Sequence, residues 1–454
     1  MLQSLDFDAK QYEKEAQKAL EEDIHYLTAV TEMADVKEVV AQEAIFSASG
    51  AKLIDKGAVI GSGVRERLLK HVLLKPIDKS VAVKDGVGAG LLAEEAGRLI
   101  ASKPYLRRLL TSGEKDPTGR EALRQLQLPD QLGFKLTVMR EQLPWLFEQS
   151  LAATLISYFL AQRMKLSTQQ CTAAMLAGLM HDLGELHTDP TLLDRRRRLT
   201  EDERRHIDAH PVTGQLIARE MIPGVAEVAT AVMQHHEKLD GSGYPLRLRG
   251  EAISPLAQIV SIADACAATM ARIRGSMRLS TLLSLNRQKF DPRLVKLLQR
   301  GLSHEDDTST QADTVDAAQI EAAARLLRRW SEFSAKLSGK PPAELAFLFE
   351  RMGDLRIMLV QFGLNTEDPQ SLQSLAIDQE IGKELAAAFD EVRWQITDLQ
   401  RETVTRRPAL AQALSSGEGK MLEVWMNEIR AYLAVVTARV RNPALERRAD
   451  SAKT

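Results

Sequence analysis

Apolar residues recur at the 3.6-residue spacing of amphipathic helices over most of this chain. Leu91 to Leu128 reads as helical, broken at SGEKDPTG (Ser112 to Gly119), which has the composition of a loop. Near the C-terminus AAARLLRRWSEFSAKL, ELAFLFERMGDLRIMLVQF, KELAAAFDEVRWQITDLQ and MLEVWMNEIRAYLAVV repeat the pattern, which predicts a helical bundle over 315–454. The N-terminal part differs. Its first forty residues are charged and helix-like, whereas AIFSASGAKLIDKGAVI (Ala44 to Ile60) alternates polar and apolar positions with glycines between, as short strands do. Gly63 to Leu74 predicts a helix, SVAV (Ser80 to Val83) a further strand, and Gly86 to Gly88 the end of a small α/β segment. The expected class is mainly α, in four parts: the α/β segment 1–85, a helical linker 86–132, a dense helical domain 133–302 and the C-terminal bundle.

Composition narrows the picture in three places. A chain of 454 residues exceeds what one hydrophobic core supports, so several domains are expected. A formal net charge of -2 argues against bulk binding to a nucleic acid polymer or an anionic membrane. The two cysteines, Cys171 and Cys266, are too few for a disulfide framework and fit a reducing compartment. LQSLDFDAKQYEKEAQ has neither a basic nor an apolar leader region, and the apolar run Leu151 to Ala161 is shorter than the ~20 residues of a spanning helix. The expected location is cytoplasmic.

Candidate chemistry concentrates in the dense helical part. Six of the nine histidines, at 181, 187, 206, 210, 235 and 236, lie within 56 residues. LAGLMHDLGE brings His181 and Asp182 to the end of an apolar helix, RRHIDAHPVTG carries His206 and His210 one turn apart, QHHEKLDGSGYP holds His235, His236, Glu237 and Asp240, and IVSIADA closes on Asp264. Each follows an apolar run, so polar groups are carried toward an interior, where they are costly unless paired or metal-bound. Mixed His and Asp with no cysteine at a ligand position suits a catalytic iron, manganese or zinc site rather than a thiolate structural zinc.

HDLGE, the pair His210-Pro211, HHEKLDGSGYP and the closing Ala263-Asp264 resemble the HD-GYP branch of the HD phosphohydrolase superfamily, and KFDPRLVKLL (Lys289 to Leu298) resembles the end of that domain. The resemblance spans about 170 residues and implies an all-helical domain holding a pair of divalent metals, iron or manganese, that hydrolyses cyclic di-GMP. It makes His181 and Asp182 the catalytic metal ligands, with Asp182 bridging two ions, adds His210, His235, His236 and Asp264 as ligands, and puts Tyr244 and Gly243 beside a guanine base. Two cations about 3.5–4 Å apart lower the pKa of a bridging water and clamp both oxygens of an in-line displacement at phosphorus.

The likeness has gaps. Gln149 stands where the family has a further histidine ligand, Trp145 where three-metal members place a carboxylate, Glu185 where a lysine faces substrate phosphate, and Ala267 where an Asp is usual. At most two ions are therefore expected, the first held loosely. Arg272 or Arg274 is a candidate replacement for a phosphate contact, and Arg195 to Arg198 reads as a solvated turn or a phosphate contact, ahead of a capping box at Thr200 and Glu203. His206 is expected on the surface, His187 in a loop, and Glu237 and Asp240 in support of the ligands and the turn. Two functions follow: a metal-dependent phosphodiesterase acting on cyclic di-GMP or a related nucleotide, or a degenerate module that binds nucleotide or protein without turnover. The C-terminal helices, which contain no histidine after residue 314, are a candidate surface for a protein partner.

Overall fold

The computed structural model describes residues 2–111, 119–193, 200–270, 288–302, 317–337, 342–361 and 379–440. The chain divides into two compact units, Met1–Glu305 and Asp306–Thr454. Helices dominate both, as the apolar periodicity predicts.

The first unit opens with α1 (Leu2–Glu22) and α2 (Ile24–Met33), followed by two antiparallel two-stranded sheets. β1 (Val39–Ala41) pairs with β4 (Val81–Val83), and β2 (Ile45–Phe46) with β3 (Lys52–Ile54). α3 (Ser62–Leu69) is shorter than the expected 63–74. Residues after Leu69 leave the helix because the amide of Ala48 bonds the Val72 carbonyl at 2.8 Å and that of Leu74 bonds the Phe46 carbonyl at 2.9 Å. A long-range pairing here overrides a locally helical sequence. β1 straddles the end of the stretch expected to be helical, and its partner is about forty residues away.

Next come α4 (Ala89–Ser102), α5 (Pro104–Thr111), α6 (Arg120–Arg124), α7 (Asp130–Gln142), α8 (Pro144–Arg163) and α9 (Thr168–Met180). α10 (Glu201–Asp208), α11 (His210–Met221), α12 (Ala226–Gln234), α13 (Pro255–Met270) and α14 (Pro292–Leu302) follow among the described residues. The capping box read at Thr200 and Glu203 is formed, and Ser167 with Gln170 makes a second one at the start of α9. α9 is buried on nearly every side against α8, α12 and α13, which explains why LAGLM is apolar all round rather than in a stripe. No described helix is long and apolar enough to cross a membrane.

The second unit contains α15 (Ala317–Lys336), α16 (Ala346–Gln361), α17 (Gln379–Thr405), α18 (Arg407–Ala413) and α19 (Ser416–Val440). α15 packs along α19, where Trp330 meets Trp425 at 5.0 Å between ring centroids. Trp425 is fully buried, so Trp425→Ala should cost this unit about 3–5 kcal/mol, seen as a lower urea midpoint. A loss below about 1 kcal/mol would show that the ring does not organise the bundle.

Candidate metal centre

Helix ends deliver three of the candidate ligands. His181 is the C-cap of α9 and His235 the C-cap of α12, while His210 opens α11 and Asp264 lies within α13. At such C-termini the last carbonyls lack helical partners. The rings use them: Nδ1 of His181 lies 2.9 Å from the Gly178 carbonyl and Nδ1 of His235 lies 2.6 Å from that of Val232. Nδ1 of His210 meets the Ile207 carbonyl at 2.9 Å in the same way. A carbonyl only accepts, so Nδ1 donates in all three, and Nε2 is the ring atom turned to the interior.

Those Nε2 atoms converge on Asp182, and its two oxygens face different partners. Oδ2 is 2.9 Å from Nε2 of His181, which is also 3.5 Å from Oδ1 of Asp264. Oδ1 is 3.4 Å from Nε2 of His210 and 3.5 Å from Nε2 of His235. Two donor groups share one carboxylate: His181, Asp182 and Asp264, and Asp182, His210, His235 and His236, each with ligand atoms within 4.8 Å of one another.

Two observations test whether cations fit. Nε2 of His181 is fully buried and has no aligned hydrogen bond despite its two carboxylate neighbours. Nε2 of His210 and Nε2 of His235 face each other at 3.3 Å, where two protons or two lone pairs would repel. A divalent cation touching both removes the conflict, and the nitrogen and oxygen donors suit such an ion. The donor set fits a metal pair.

The electrostatics agree. Burial by itself lowers His181 and raises Asp182, yet their mutual attraction prevails: His181 is held well above the usual histidine range and Asp182 well below the usual carboxylate range. His210 is raised despite burial, through its contact with Asp182 and the charge of Glu185. Burial and neighbouring imidazoles push His236 well down. The field thus concentrates negative charge at the shared carboxylate, where it attracts cations.

The glycine turn explains the adjacent histidines. Gly241 has φ +78°, and at Gly243 a Cβ would overlap the backbone of His236 and Glu237. The chain therefore folds back on itself, and the Tyr244 ring stacks on His236 at 4.7 Å and 27°. Glu237 secures the return by accepting the amides of Leu246 at 2.6 Å and Leu248 at 2.9 Å, and burial pushes its carboxyl up to about 7 against those bonds. Asp240 accepts the amide of Ser242 at 2.9 Å, forming the turn. His235 and His236 reach the same donor group from a helix cap and from the turn after it, their centroids 4.0 Å apart.

Gln149, on α8, donates through Nε2 to Oδ1 of Asp264 at 2.9 Å, so it faces the centre as expected. Trp145, one turn earlier, is 41% exposed and offers no ligand atom. Glu185 is half-buried within electrostatic reach of His210. Gly184, between Asp182 and Glu185, was not singled out by the sequence, yet a Cβ there would overlap the His210 carbonyl; HDLGE needs the glycine to lie against α11. Ala267 is buried. His206 is partly exposed, 3.9 Å from Glu15. His187 is no loop residue: it ends a 3-10 turn and is buried, because the N-terminal helices cover it. Arg272, Arg274 and 195–198 lie outside the described residues.

Comparison with known proteins places this geometry. Residues 137–294 match the HD domain family. The chain is 37% identical over 145 residues to 3′3′-cGAMP-specific phosphodiesterase 1 of Vibrio cholerae, covering 32% of this chain and 33% of that one. It is 31% identical over 169 residues to the cyclic di-GMP phosphodiesterase response regulator RpfG of Xanthomonas campestris, covering 36% and 45%. It is 31% identical over 118 residues to the cyclic di-GMP phosphodiesterase PA4108 of Pseudomonas aeruginosa, covering 26% and 28%. The chain thus spans between about a quarter and a half of the length of these relatives. Over residues 137–294 the chain is thus similar to the HD domain family and to phosphodiesterases named for cyclic di-GMP and 3′3′-cGAMP.

Proposed function

We propose that this chain is a metal-dependent phosphodiesterase that opens a cyclic dinucleotide, cyclic di-GMP, at a pair of iron or manganese ions. The observation that carries the reading is Asp182 turning one oxygen to each of two donor groups. When bound, two such ions activate water and neutralise charge developing on phosphoryl oxygens. Asp182 and Asp264 hold the negative charge that retains them, and the Nδ1 contacts of His181, His210 and His235 to carbonyls keep the rings oriented. Tyr244, fixed on His236 by the Gly243 turn, offers an aromatic face to a purine. The six donor residues all converge, which supports turnover over a purely binding role. The curated relatives include enzymes named for cyclic di-GMP and for 3′3′-cGAMP, so turnover of both nucleotides by the manganese- and iron-loaded protein is the direct test. Hydrolysis of neither would sink the reading.

Three variants probe the centre. Asp182→Ala should remove both ions, because no neighbouring carboxylate can bridge the two groups; unchanged metal content by elemental analysis would refute the shared ligand.

Gln149→His should tighten the ion beside Asp264, since imidazole is a stronger ligand than an amide oxygen for these metals. A competition titration that gives equal affinity would mean residue 149 does not reach the ion.

Glu185→Lys reverses a charge near the expected phosphate. A like-charge pair roughly 4–6 Å apart costs on the order of 3–4 kcal/mol at an effective dielectric of about 20 before screening. Screening reduces this, and about tenfold tighter cyclic di-GMP binding is expected by calorimetry. Equal or weaker binding would place the nucleotide elsewhere.

A further inference from the structure

Away from the donor groups, a second set of ionisable side chains is buried around His187. Nδ1 of His187 lies 2.7 Å from Oδ1 of Asp23, and Nε2 lies 3.3 Å from Nζ of Lys135. Lys135 Nζ is in turn 3.6 Å from Oδ2 of Asp78 and 3.7 Å above the centre of the Tyr26 ring. The same ring faces His187 at 4.8 Å. Asp78, Lys135 and His187 are each buried. Nε2 of a neutral imidazole accepts from the ammonium, while Nδ1 and Oδ1 of Asp23 make a close polar contact without an aligned hydrogen bond. Burial with the Lys135 charge holds His187 below the usual histidine range.

The five residues come from five places along the chain. Asp23 joins α1 to α2 in a left-handed conformation with φ 47°, Tyr26 is on α2, Asp78 is in a 3-10 turn (Ile77–Lys79) that leads into β4, and Lys135 is on α7. His187 ends the 3-10 turn Leu183–His187, which starts at the residue after Asp182. This five-residue turn is fastened at both ends. Gly184 presses on the His210 carbonyl beside the donor groups, and His187 is gripped by the N-terminal segment. A buried ionic network is a poor source of stability compared with apolar packing, but it imposes one geometry on the elements that meet in it.

We infer that the N-terminal segment completes the metal centre, with His187 as a positioning residue that, held between Asp23 and Lys135, fixes the turn behind Asp182. The inference rests on the metal-pair reading above. A carboxylate shared by two ions must satisfy two sets of distances at once, so a displacement of a few tenths of an ångström on the order of the tolerance of designed sites affects both. Contacts behind metal ligands commonly change affinity by about 10–100-fold when removed.

The test uses the full chain, titrated with Mn²⁺ by calorimetry, with circular dichroism and metal-free melting as separate measures of folding. His187→Leu should fold yet bind Mn²⁺ at least about tenfold more weakly. His187→Gln keeps a donor and an acceptor and should restore affinity to within about threefold, which a simple volume effect would not do. A folded His187→Leu protein with wild-type affinity overturns the inference, as does a Gln variant as weak as Leu. Should His187→Leu fail to fold, Asp23→Asn decides: it keeps the shape and removes the charge, and unchanged Mn²⁺ affinity overturns the inference, whereas weakened affinity supports it. Wild-type protein that takes up neither Mn²⁺ nor Fe²⁺ would overturn the metal-pair reading itself.

Discussion

Asp182 sits 3% exposed with three imidazole nitrogens within 3.5 Å of its two oxygens, and most of the HD domain is arranged to make that possible. A lone carboxylate at such depth would be neutralised by protonation. It remains charged because the surrounding rings lie on the side where positive charge is needed, and because their Nδ1 atoms are already committed to carbonyls. The result is a fixed patch of negative charge with nitrogen donors on two sides. That combination suits divalent cations.

The helices serve this constraint at their ends. α9 and α12 both stop where a histidine caps the last turn, so the carbonyls left over by the helix are the same groups that orient the rings. α11 starts at the opposing histidine, close enough to the HD turn that only glycine fits at 184. Placing ligands on helix termini, and not on long flexible loops, limits how far each can drift, which matters more when one carboxylate serves two groups.

Two substitutions tune the centre away from the family pattern. Gln149 keeps contact with Asp264 but brings an uncharged amide where an imidazole is usual, softening one side of the site. Glu185 adds an acid near His210, where a lysine would repel cations and attract phosphate. On the proposed function, both would leave substrate binding to depend more on metal charge than on protein charge. The N-terminal segment enters the same balance through His187, which ties the turn behind Asp182 to elements far away in sequence.

The sequence by itself determined the mainly helical class and the short strands at 44–60 and 80–83, because amphipathic period and alternation are local signals. The HD, His-Pro, HHExxDGxGYP and AD strings, through their resemblance to a family, picked out the six residues that the fold brings together. The resemblance to the family also put Gln149 at the centre, where it bonds Asp264. Tertiary structure decided what depends on distant partners. α3 ends early because 72–74 pairs with 46–48, β1 exists because β4 lies beside it, and His187 is buried because α2 covers it. It also decided which oxygen of Asp182 meets which ring, and that Gly184 and Gly243 are sites of backbone contact. Periodicity reports which face of an element is buried; it carries no information on which residue, tens of positions away, will lie against it.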